Sequence, residues 1–327
     1  MVQVLKDIPV STHRWVDPSS TGPLDDAAVA RPEGMERSLV LTLDVITPIV
    51  DDPRAFGAIA AANAISDVYA MGGKPELALS FVGFPTDKLP LAMLGEVLAG
   101  MQEACARAGC AIVGGHTIAD GEPKAGLAVA GSVDPARVWS HRSAREGHAL
   151  VLTKPLGTGI VGQAIRAGRA DEDLIARATA QMTALNAAAR DVGIAAGASS
   201  CTDVTGFGLL GHLRNIVEAS DLAATLYATN VPLIEGALEL AWAGLVPGGS
   251  KRNLAYASAV TAFDSDVDEA LRLLLADAQT SGGLLLCVPA EAADAAVGKL
   301  HEAGCEGAAV VGALEKSTVG PRIRVAR

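Results

Sequence analysis

Aspartates at the ends of apolar segments are the residues of this sequence best suited to chemistry. Asp26, with Asp25 beside it, precedes the apolar stretch Ala27–Val29, and Asp44 closes a segment of alternating residues. Asp203 lies between a short apolar run and a glycine turn. Carboxylates are seldom buried unless they are paired or bound to metal. The pattern therefore predicts a cluster of hard oxygen ligands, for which Mg²⁺ with a polyphosphate is the simplest occupant.

A fourth aspartate, Asp67, belongs to an alanine-rich segment that predicts a helix over 54–71. Asn63 and Asp67 are four positions apart, so they face the same way among small residues that allow close approach. Each aspartate taken alone is equally well explained as the cap of a helix or a turn. Metal binding is favoured for the set only when the wider sequence pattern is considered.

Two Gly-x-Gly-x-x-Gly patterns, at 157–162 and 206–211, invite a dinucleotide-binding interpretation. A Rossmann unit needs a second parallel strand soon after its helix, and neither pattern is followed by one. The sequence also lacks a P-loop, since Gly248-Gly249-Ser250-Lys251 only partly matches it. We therefore expect neither kind of nucleotide site.

The remaining glycine clusters could present backbone N–H groups to anions. One is a predicted turn comprising Gly114, Gly115, His116 and Thr117, and the other is the segment 279–283. As isolated tight turns both would be unremarkable. His116 could contact a phosphate or substrate, but a turn held by backbone hydrogen bonds is the better explanation. Cys201, near Asp203, is best explained as a small buried apolar side chain.

These residues are carried by elements of both types, which predicts an α+β protein of two domains with mixed sheets and helices packed on them. Residues 38–45 predict a strand, and residues 173–192 a long helical region. A polar, basic stretch over 135–147 is typical of a domain connection. We place an ATP- and metal-binding, dimerising domain at residues 1–145 and an α+β domain at 146–327.

Composition limits the partners and the compartment. A net charge of −11, with no run of Lys or Arg, argues against a nucleic-acid partner. Five cysteines without a C-x-x-C pair indicate neither a disulfide framework nor a zinc ribbon, which suits a reducing cytoplasm. No apolar run is long enough to predict a membrane span, and no signal peptide is evident.

Many ordered stretches resemble the selenophosphate synthetase (selenide, water dikinase) family over nearly the whole chain. Among them are Asp25-Asp-Ala-Ala-Val, Asn63-Ala-Ile-Ser-Asp67, Gly114-Gly-His-Thr, Leu152-Thr-Lys-Pro-Leu-Gly157, Thr202-Asp-Val-Thr-Gly-Phe-Gly-Leu-Leu-Gly-His212 and Asp277-Ala-Gln-Thr-Ser-Gly-Gly283. The resemblance implies the fold of the aminoimidazole ribonucleotide synthetase superfamily, built as a homodimer with the nucleotide near the subunit interface.

The resemblance also implies an activity and a set of site residues. ATP, selenide and water would give selenophosphate, AMP and orthophosphate. Asp26, Asp67 and Asp203 resemble the metal-binding aspartates of the family. Asp44 and Asp67, with Gly114, Gly115, His116 and Thr117, resemble its ATP-binding set.

One departure from the family concerns the start of the chain. Members usually carry a glycine-rich segment with a reactive Cys or selenocysteine, followed three residues later by Lys. Here no cysteine precedes Cys105, and Val2–Pro9 resembles the helix that follows that segment. We expect the segment to be encoded upstream of Met1, and its natural loss is the alternative. The sequence therefore names no catalytic cysteine or lysine and predicts Mg-ATP binding with little selenophosphate formation.

Three other functions remain open at this stage. The chain could be another ATP-dependent enzyme of the same superfamily, such as one that phosphorylates an amide or carboxylate oxygen. It could be a non-catalytic ATP-binding homologue. An oxidoreductase, suggested by the two glycine patterns, is the weakest alternative.

Overall fold

A computed structural model describes residues 13–16 and 25–327 of the chain. The predicted helix at Val2–Pro9 lies outside these residues. Within the described part, no helix is both long enough and apolar enough to cross a lipid bilayer.

The first half of the chain forms a five-stranded sheet with the order β1-β2-β5-β3-β4. All neighbouring pairs are antiparallel except β3 and β4, which run parallel. The strands are β1 (Ala28–Ala30), β2 (Ser38–Ile46), β3 (Lys74–Phe84), β4 (Ala111–Ala119) and β5 (Lys124–Val133). Two helices, α1 (Pro53–Ala70) and α2 (Leu91–Ala108), accompany this sheet.

Helix α1 starts and stops where local chemistry dictates. The Asp52 side chain accepts a hydrogen bond of 2.8 Å from the backbone N–H of Ala55, and Pro53 occupies the first turn. Gly72, with φ +74°, ends the helix. Almost every residue from Phe56 onward is buried, because the helix lies against strands β2 and β5, helix α2 and a helix of the second half.

The opposite face of the five-stranded sheet is open and apolar. Leu41 and Leu43 on β2, Leu79 on β3 and Val113 on β4 are 45%, 64%, 51% and 61% exposed. Because side chains alternate along a strand, the intervening residues of β2, including Thr42 and Asp44, project toward helix α1.

The second half forms a seven-stranded sheet with the order β7-β10-β6-β11-β8-β12-β9. Its strands are β6 (His148–Leu152), β7 (Ser200–Asp203), β8 (Leu222–Tyr227), β9 (Thr261–Phe263), β10 (Leu284–Pro289), β11 (Ala309–Lys316) and β12 (Ile323–Ala326). Strands β8, β12 and β9 are parallel to one another, and the other pairs are antiparallel. The mixed sheets confirm the α+β prediction.

Eight helices of the second half cover this sheet and join it to the first half. They are α3 (Thr158–Arg166), α4 (Glu172–Thr183), α5 (Ala187–Ala195), α6 (Gly208–Ser220), α7 (Ala237–Trp242), α8 (Gly248–Ala257), α9 (Glu269–Leu275) and α10 (Ala293–Glu302). One apolar core runs from helix α1 to Ile160 of α3, Met182 of α4 and Leu274 of α9. The two halves therefore share a core. The predicted boundary between residues 145 and 146 falls between the two sheets.

Two local predictions were wrong. Gly114, Gly115, His116 and Thr117 do not form a turn, because they continue the edge strand β4 in parallel register with Leu79 to Val82 of β3. The predicted helical region over 173–192 is two helices. The helix breaks between Ala184 and Asn186 because both residues form hydrogen bonds with distant parts of the chain. The carbonyl oxygen of Ala184 accepts a hydrogen bond from Lys154 Nζ, and Asn186 Nδ2 donates one to Gly282 O.

Candidate functional site

The structure brings four carboxylates from distant segments together where the two halves meet. Asp26 precedes β1, Asp44 lies on β2, Asp67 on α1 and Asp203 at the end of β7. We call this set the acidic cluster. Its members are close enough for their charges to influence one another, and Asp67 and Asp203 are only 8% and 1% exposed.

Two hydrogen bonds fix the part of the cluster that belongs to the first half. Thr42 donates its hydroxyl to Asp67 through a short hydrogen bond. Asn63 donates from Nδ2 to Oδ2 of Asp44 across 2.7 Å. The sequence spacing of Asn63 and Asp67 thus places one beside Asp44 and the other beside Thr42, both on strand β2.

Burial and mutual repulsion disfavour the ionised form of the carboxylates in this cluster. Burial, followed by the charges of Asp203 and Asp44, raises the pKa of Asp67 well above its usual range. Burial, followed by the charge of Asp26, raises the pKa of Asp203 well above its usual range, against a contact from the Ser66 hydroxyl. Burial also raises the pKa of Asp44, although the hydrogen bond from Asn63 opposes it.

Asp26 is held by a chain of polar groups from the second half. The Thr202 hydroxyl donates to Asp26 Oδ1 across 2.9 Å and lies 3.3 Å from Nδ1 of His212. His212 Nε2 accepts the backbone N–H of Thr205 across 3.1 Å, which leaves the proton of the neutral ring on Nδ1. Burial lowers the pKa of His212 to about 4, so the ring stays neutral and can donate to Thr202.

His141 is a second histidine of the site, and sequence reasoning placed it only in a basic domain connection. Its Nδ1 lies 3.5 Å from Asp25 Oδ1 and its Nε2 lies 3.5 Å from Asp26 Oδ2. Burial opposes the charged ring, but the charges of Asp26 and Asp25 outweigh it and raise the pKa of His141. The backbone N–H of His141 also donates to Asp25 across 2.9 Å. No local pattern in the sequence signals these contacts.

The acidic cluster fits divalent cations. Asp26 Oδ2 and Asp203 Oδ2 are buried and accept no hydrogen bond from any described residue, and hard cations take such carboxylate oxygens as ligands. Within residues 13–16 and 25–327, however, no three His, Cys, Asp or Glu side chains are placed to hold one ion by themselves. Any ion bound here would therefore need further oxygen ligands from a bound molecule or from water.

The predicted nucleotide residues of β4 lie apart from the acidic cluster. Gly114 to Thr117 are exposed on the edge strand, three strands away from β2, which corresponds to about 14 Å. The side chains of His116 and Thr117 make no hydrogen bond or ion pair with any described residue. The structure therefore brings the aspartates together but does not bring β4 to them.

The first glycine pattern, at 157–162, and Cys201 have structural explanations. The N–H groups of Gly159 and Ile160, at the start of α3, donate to Asp277, and those of Gly157 and Thr158 donate to Gln279. No N–H group of that turn is left for a pyrophosphate. Cys201 is fully buried, and burial raises the pKa of its thiol well above the usual range, as expected of a packing residue.

Comparisons with known proteins agree on one family. The model of the AIR synthase related protein N-terminal domain matches residues 24–133, and that of the C-terminal domain matches residues 145–322. A selenide, water dikinase of Myxococcus xanthus is 48% identical over 300 residues, covering 90% of this chain and 84% of that protein. One from Carboxydothermus hydrogenoformans is 43% identical over 307 residues, covering 93% and 88%.

Solved structures share the fold at low identity. A thiamine monophosphate kinase from Aquifex aeolicus superposes with a TM-score of 0.65 at 17% identity, covering 93% of this chain and 91% of that one. A hydrogenase maturation protein, HypE, in complex with ATP gives a TM-score of 0.67 at 21% identity, covering 99% and 91%.

Proposed function

The chain belongs to the selenide, water dikinase family of AIR synthase-related proteins, and we propose that its acidic cluster binds ATP through Mg²⁺. The family activity converts ATP, selenide and water into selenophosphate, AMP and orthophosphate, and the chain is a selenophosphate synthetase by this relationship. The residues proposed to hold Mg²⁺ are Asp26, Asp67 and Asp203. Those proposed to bind the nucleotide are Asp44, Asp67, Gly114, Gly115, His116 and Thr117.

The convergence of four carboxylates at the junction of the two halves is the observation that carries this proposal. A buried group of like charges is costly unless cations offset it, and the raised pKa values of Asp67 and Asp203 express that cost. Mg²⁺ bound there would neutralise phosphate charge and align the terminal groups of ATP for transfer. Because no three His, Cys, Asp or Glu side chains in the described part of the chain are placed to hold one ion alone, the triphosphate would complete the coordination.

Neighbouring polar side chains orient the carboxylates of the acidic cluster. Thr42 and Asn63 fix the rotamers of Asp67 and Asp44, and Thr202 fixes that of Asp26. Helix α1 and the shared apolar core shield Asp67 and Asp203 from bulk water, which strengthens the electrostatic contacts of these two carboxylates. This preorganisation allows a bound triphosphate to meet carboxylates that are already positioned.

We also propose a homodimer formed through the open face of the five-stranded sheet. Leu41, Leu43, Leu79 and Val113 form a continuous apolar surface there, and a monomeric protein seldom exposes one. The occupant we propose is a second copy, because the edge strand β4, with its proposed nucleotide residues, borders the same face. Packing at this face would bring the nucleotide residues next to the subunit interface.

The cytoplasm is the proposed compartment. All five cysteines are free thiols, and four of them are buried in positions where they pack as small apolar side chains. Such thiols persist in a reducing environment.

Selenide-dependent formation of AMP from ATP and Mg²⁺ tests the proposed function. We expect the protein to release AMP and orthophosphate only when selenide is present, at the low rate that its sequence predicts, and Asp67→Asn to abolish this release. Asp264→Asn, which changes a surface carboxylate paired with Arg324, is the matched control and should behave as wild type. Mg-ATP binding without AMP release at any selenide concentration would instead support a non-catalytic ATP-binding homologue.

A further inference from the structure

The turn before strand β10 lies directly beside the acidic cluster. Leu284, the first residue of β10, pairs with Asp203 in the sheet, and Ser281 is three residues earlier. The sequence of this turn is Gln279-Thr280-Ser281-Gly282-Gly283. Ser281 therefore lies just before strand β10, which pairs with Asp203.

Two features of Ser281 lower the stability of the folded protein, its backbone conformation and its buried hydroxyl. Its φ angle is +49°, a left-handed conformation that side chains with a Cβ atom rarely adopt. Its hydroxyl is buried, in a residue only 1% exposed, and has no hydrogen-bond partner among the described residues. Glycine at this position would avoid both costs. A serine under these conditions points to a use for the hydroxyl.

The backbone of Ser281 is clamped from both halves of the chain. Its N–H donates to Oδ1 of Asn63 across 3.0 Å, and its carbonyl oxygen accepts from Nζ of Lys154 across 3.0 Å. Lys154 is itself fixed by a 2.7 Å hydrogen bond to Ala184 O. The next residue, Gly282, has no room for a side chain, because a Cβ atom would lie 2.0 Å from Val204 O. The turn therefore has little freedom to move.

Asn63 connects this clamp to the proposed nucleotide site. The same amide group that accepts from Ser281 donates to Asp44, so only one side chain separates Ser281 from the acidic cluster. The clamp thus fixes the Ser281 backbone one side chain away from Asp44, a residue proposed to bind the nucleotide.

We propose that Ser281 contacts the substrate, with its hydroxyl donating a hydrogen bond to a phosphoryl oxygen of bound Mg-ATP. This inference rests on the proposed function. The hydroxyl has no acceptor within residues 13–16 and 25–327, and a phosphoryl oxygen bound at the acidic cluster would supply one. Asn63 and Lys154 are positioning residues for this contact.

Two substitutions separate the hydroxyl from the backbone strain. Ser281→Ala removes only the hydroxyl, whereas Ser281→Gly removes the hydroxyl and the strain. Asp221→Gly is the matched control, because Asp221 is the other non-glycine residue with positive φ in the described ranges, at +56°, and it lies at the far end of helix α6. Each protein is measured for ligand-free unfolding temperature and for the Kd of a non-hydrolysable Mg-ATP analogue.

We expect Ser281→Gly to unfold at the same or a higher temperature than wild type. We expect both Ser281 variants to bind the analogue about ten- to a hundredfold more weakly, the effect of losing one hydrogen bond to a charged group. Asp221→Gly should bind as tightly as wild type. Addition of the analogue should raise the unfolding temperature of both Ser281 variants less than that of the wild-type protein.

Unchanged affinity in both Ser281 variants would overturn the inference while leaving the proposed function intact. A loss of ligand-free stability that parallels the loss of affinity would also overturn it, since the hydroxyl would then serve the fold. Failure of the wild-type protein to bind the analogue would instead count against the proposed function, and the inference would fall with it.

Discussion

The hydroxyl of Thr202 donates a hydrogen bond to the carboxylate of Asp26, with 2.9 Å between their oxygen atoms. Thr202 belongs to strand β7 of the second sheet, and Asp26 stands just before strand β1 of the first. With His212 behind Thr202, the contact makes the orientation of one carboxylate depend on both halves of the chain. Asp26, Thr202 and His212 therefore act as one polar unit.

Replacing Asp203 by Asn should separate stability from ligand binding. The ligand-free protein should unfold at the same or a higher temperature, because the substitution removes a buried charge whose pKa is raised by burial and repulsion. Turnover of Mg-ATP should fall about a hundredfold or more, because one metal ligand is lost. Calorimetry without ligand and an AMP-release assay measure the two effects. Normal turnover by this variant would contradict the metal role of Asp203.

His212 should make the ligand-free protein sensitive to acid. Its folded-state pKa is lowered to about 4, below the unfolded value near 6.5, so the unfolded chain binds a proton first as pH falls. The stability from the neutral ring is present above pH ~6.5 and decreases by about 3 kcal/mol toward pH ~4. Urea unfolding of wild type and His212→Asn across this range measures it, and the variant should show the shallower pH dependence. If the unfolding free energies of the two proteins depended equally on pH, His212 would not be the source of the acid sensitivity.

A charge on the open sheet face should break the proposed dimer. We expect wild type to sediment as a dimer and Leu43→Arg to sediment as a monomer, because a desolvated arginine at the centre of an apolar interface has no partner. Leu98→Arg, on the outer surface of helix α2, is the control and should remain dimeric. Circular dichroism should be the same for all three proteins. A wild-type protein that sediments as a monomer at every concentration would rule out the dimer.

Gly159 should be intolerant of even a methyl group. A Cβ atom there would lie 2.4 Å from Ala278 O and 2.6 Å from Asp277 Oδ1, so Gly159→Ala should cost about 1–3 kcal/mol of unfolding free energy. Gly298→Ala, in helix α10 with open space around it, should be neutral or stabilising by about 0.5–1 kcal/mol. Denaturant titration compares the two variants. If they prove equally stable, the close packing between α3 and the segment after α9 is not as described.

Much of the fold and the composition of the acidic cluster could be predicted from the sequence. Strand alternation and an alanine-rich helix are local signals, and they locate Asp44 and Asp67 on elements that must pack together. The predicted helix over 54–71 differs from α1 by one residue at each end.

The rest depends on contacts between residues far apart in the chain. His141 contacts Asp25 and Asp26, which lie more than a hundred residues away in the sequence. The residues around His141 in the sequence do not predict these contacts. The helical periodicity of residues 173–192 continues through Ala184, where tertiary hydrogen bonding overrides it. The glycines at 114 and 115 suggested a turn, but an edge strand accommodates them as well.

The position of β10 between β6 and β7 has a consequence for the order in which the protein is made. Asp203 is held in register by a strand that the ribosome synthesises some eighty residues later, as the pairing of Leu284 with Asp203 requires. The five-stranded sheet is complete at Val133 and can begin to fold during translation. The carboxylates can come together only when synthesis is nearly finished, so a nascent chain has its scaffold long before its pocket.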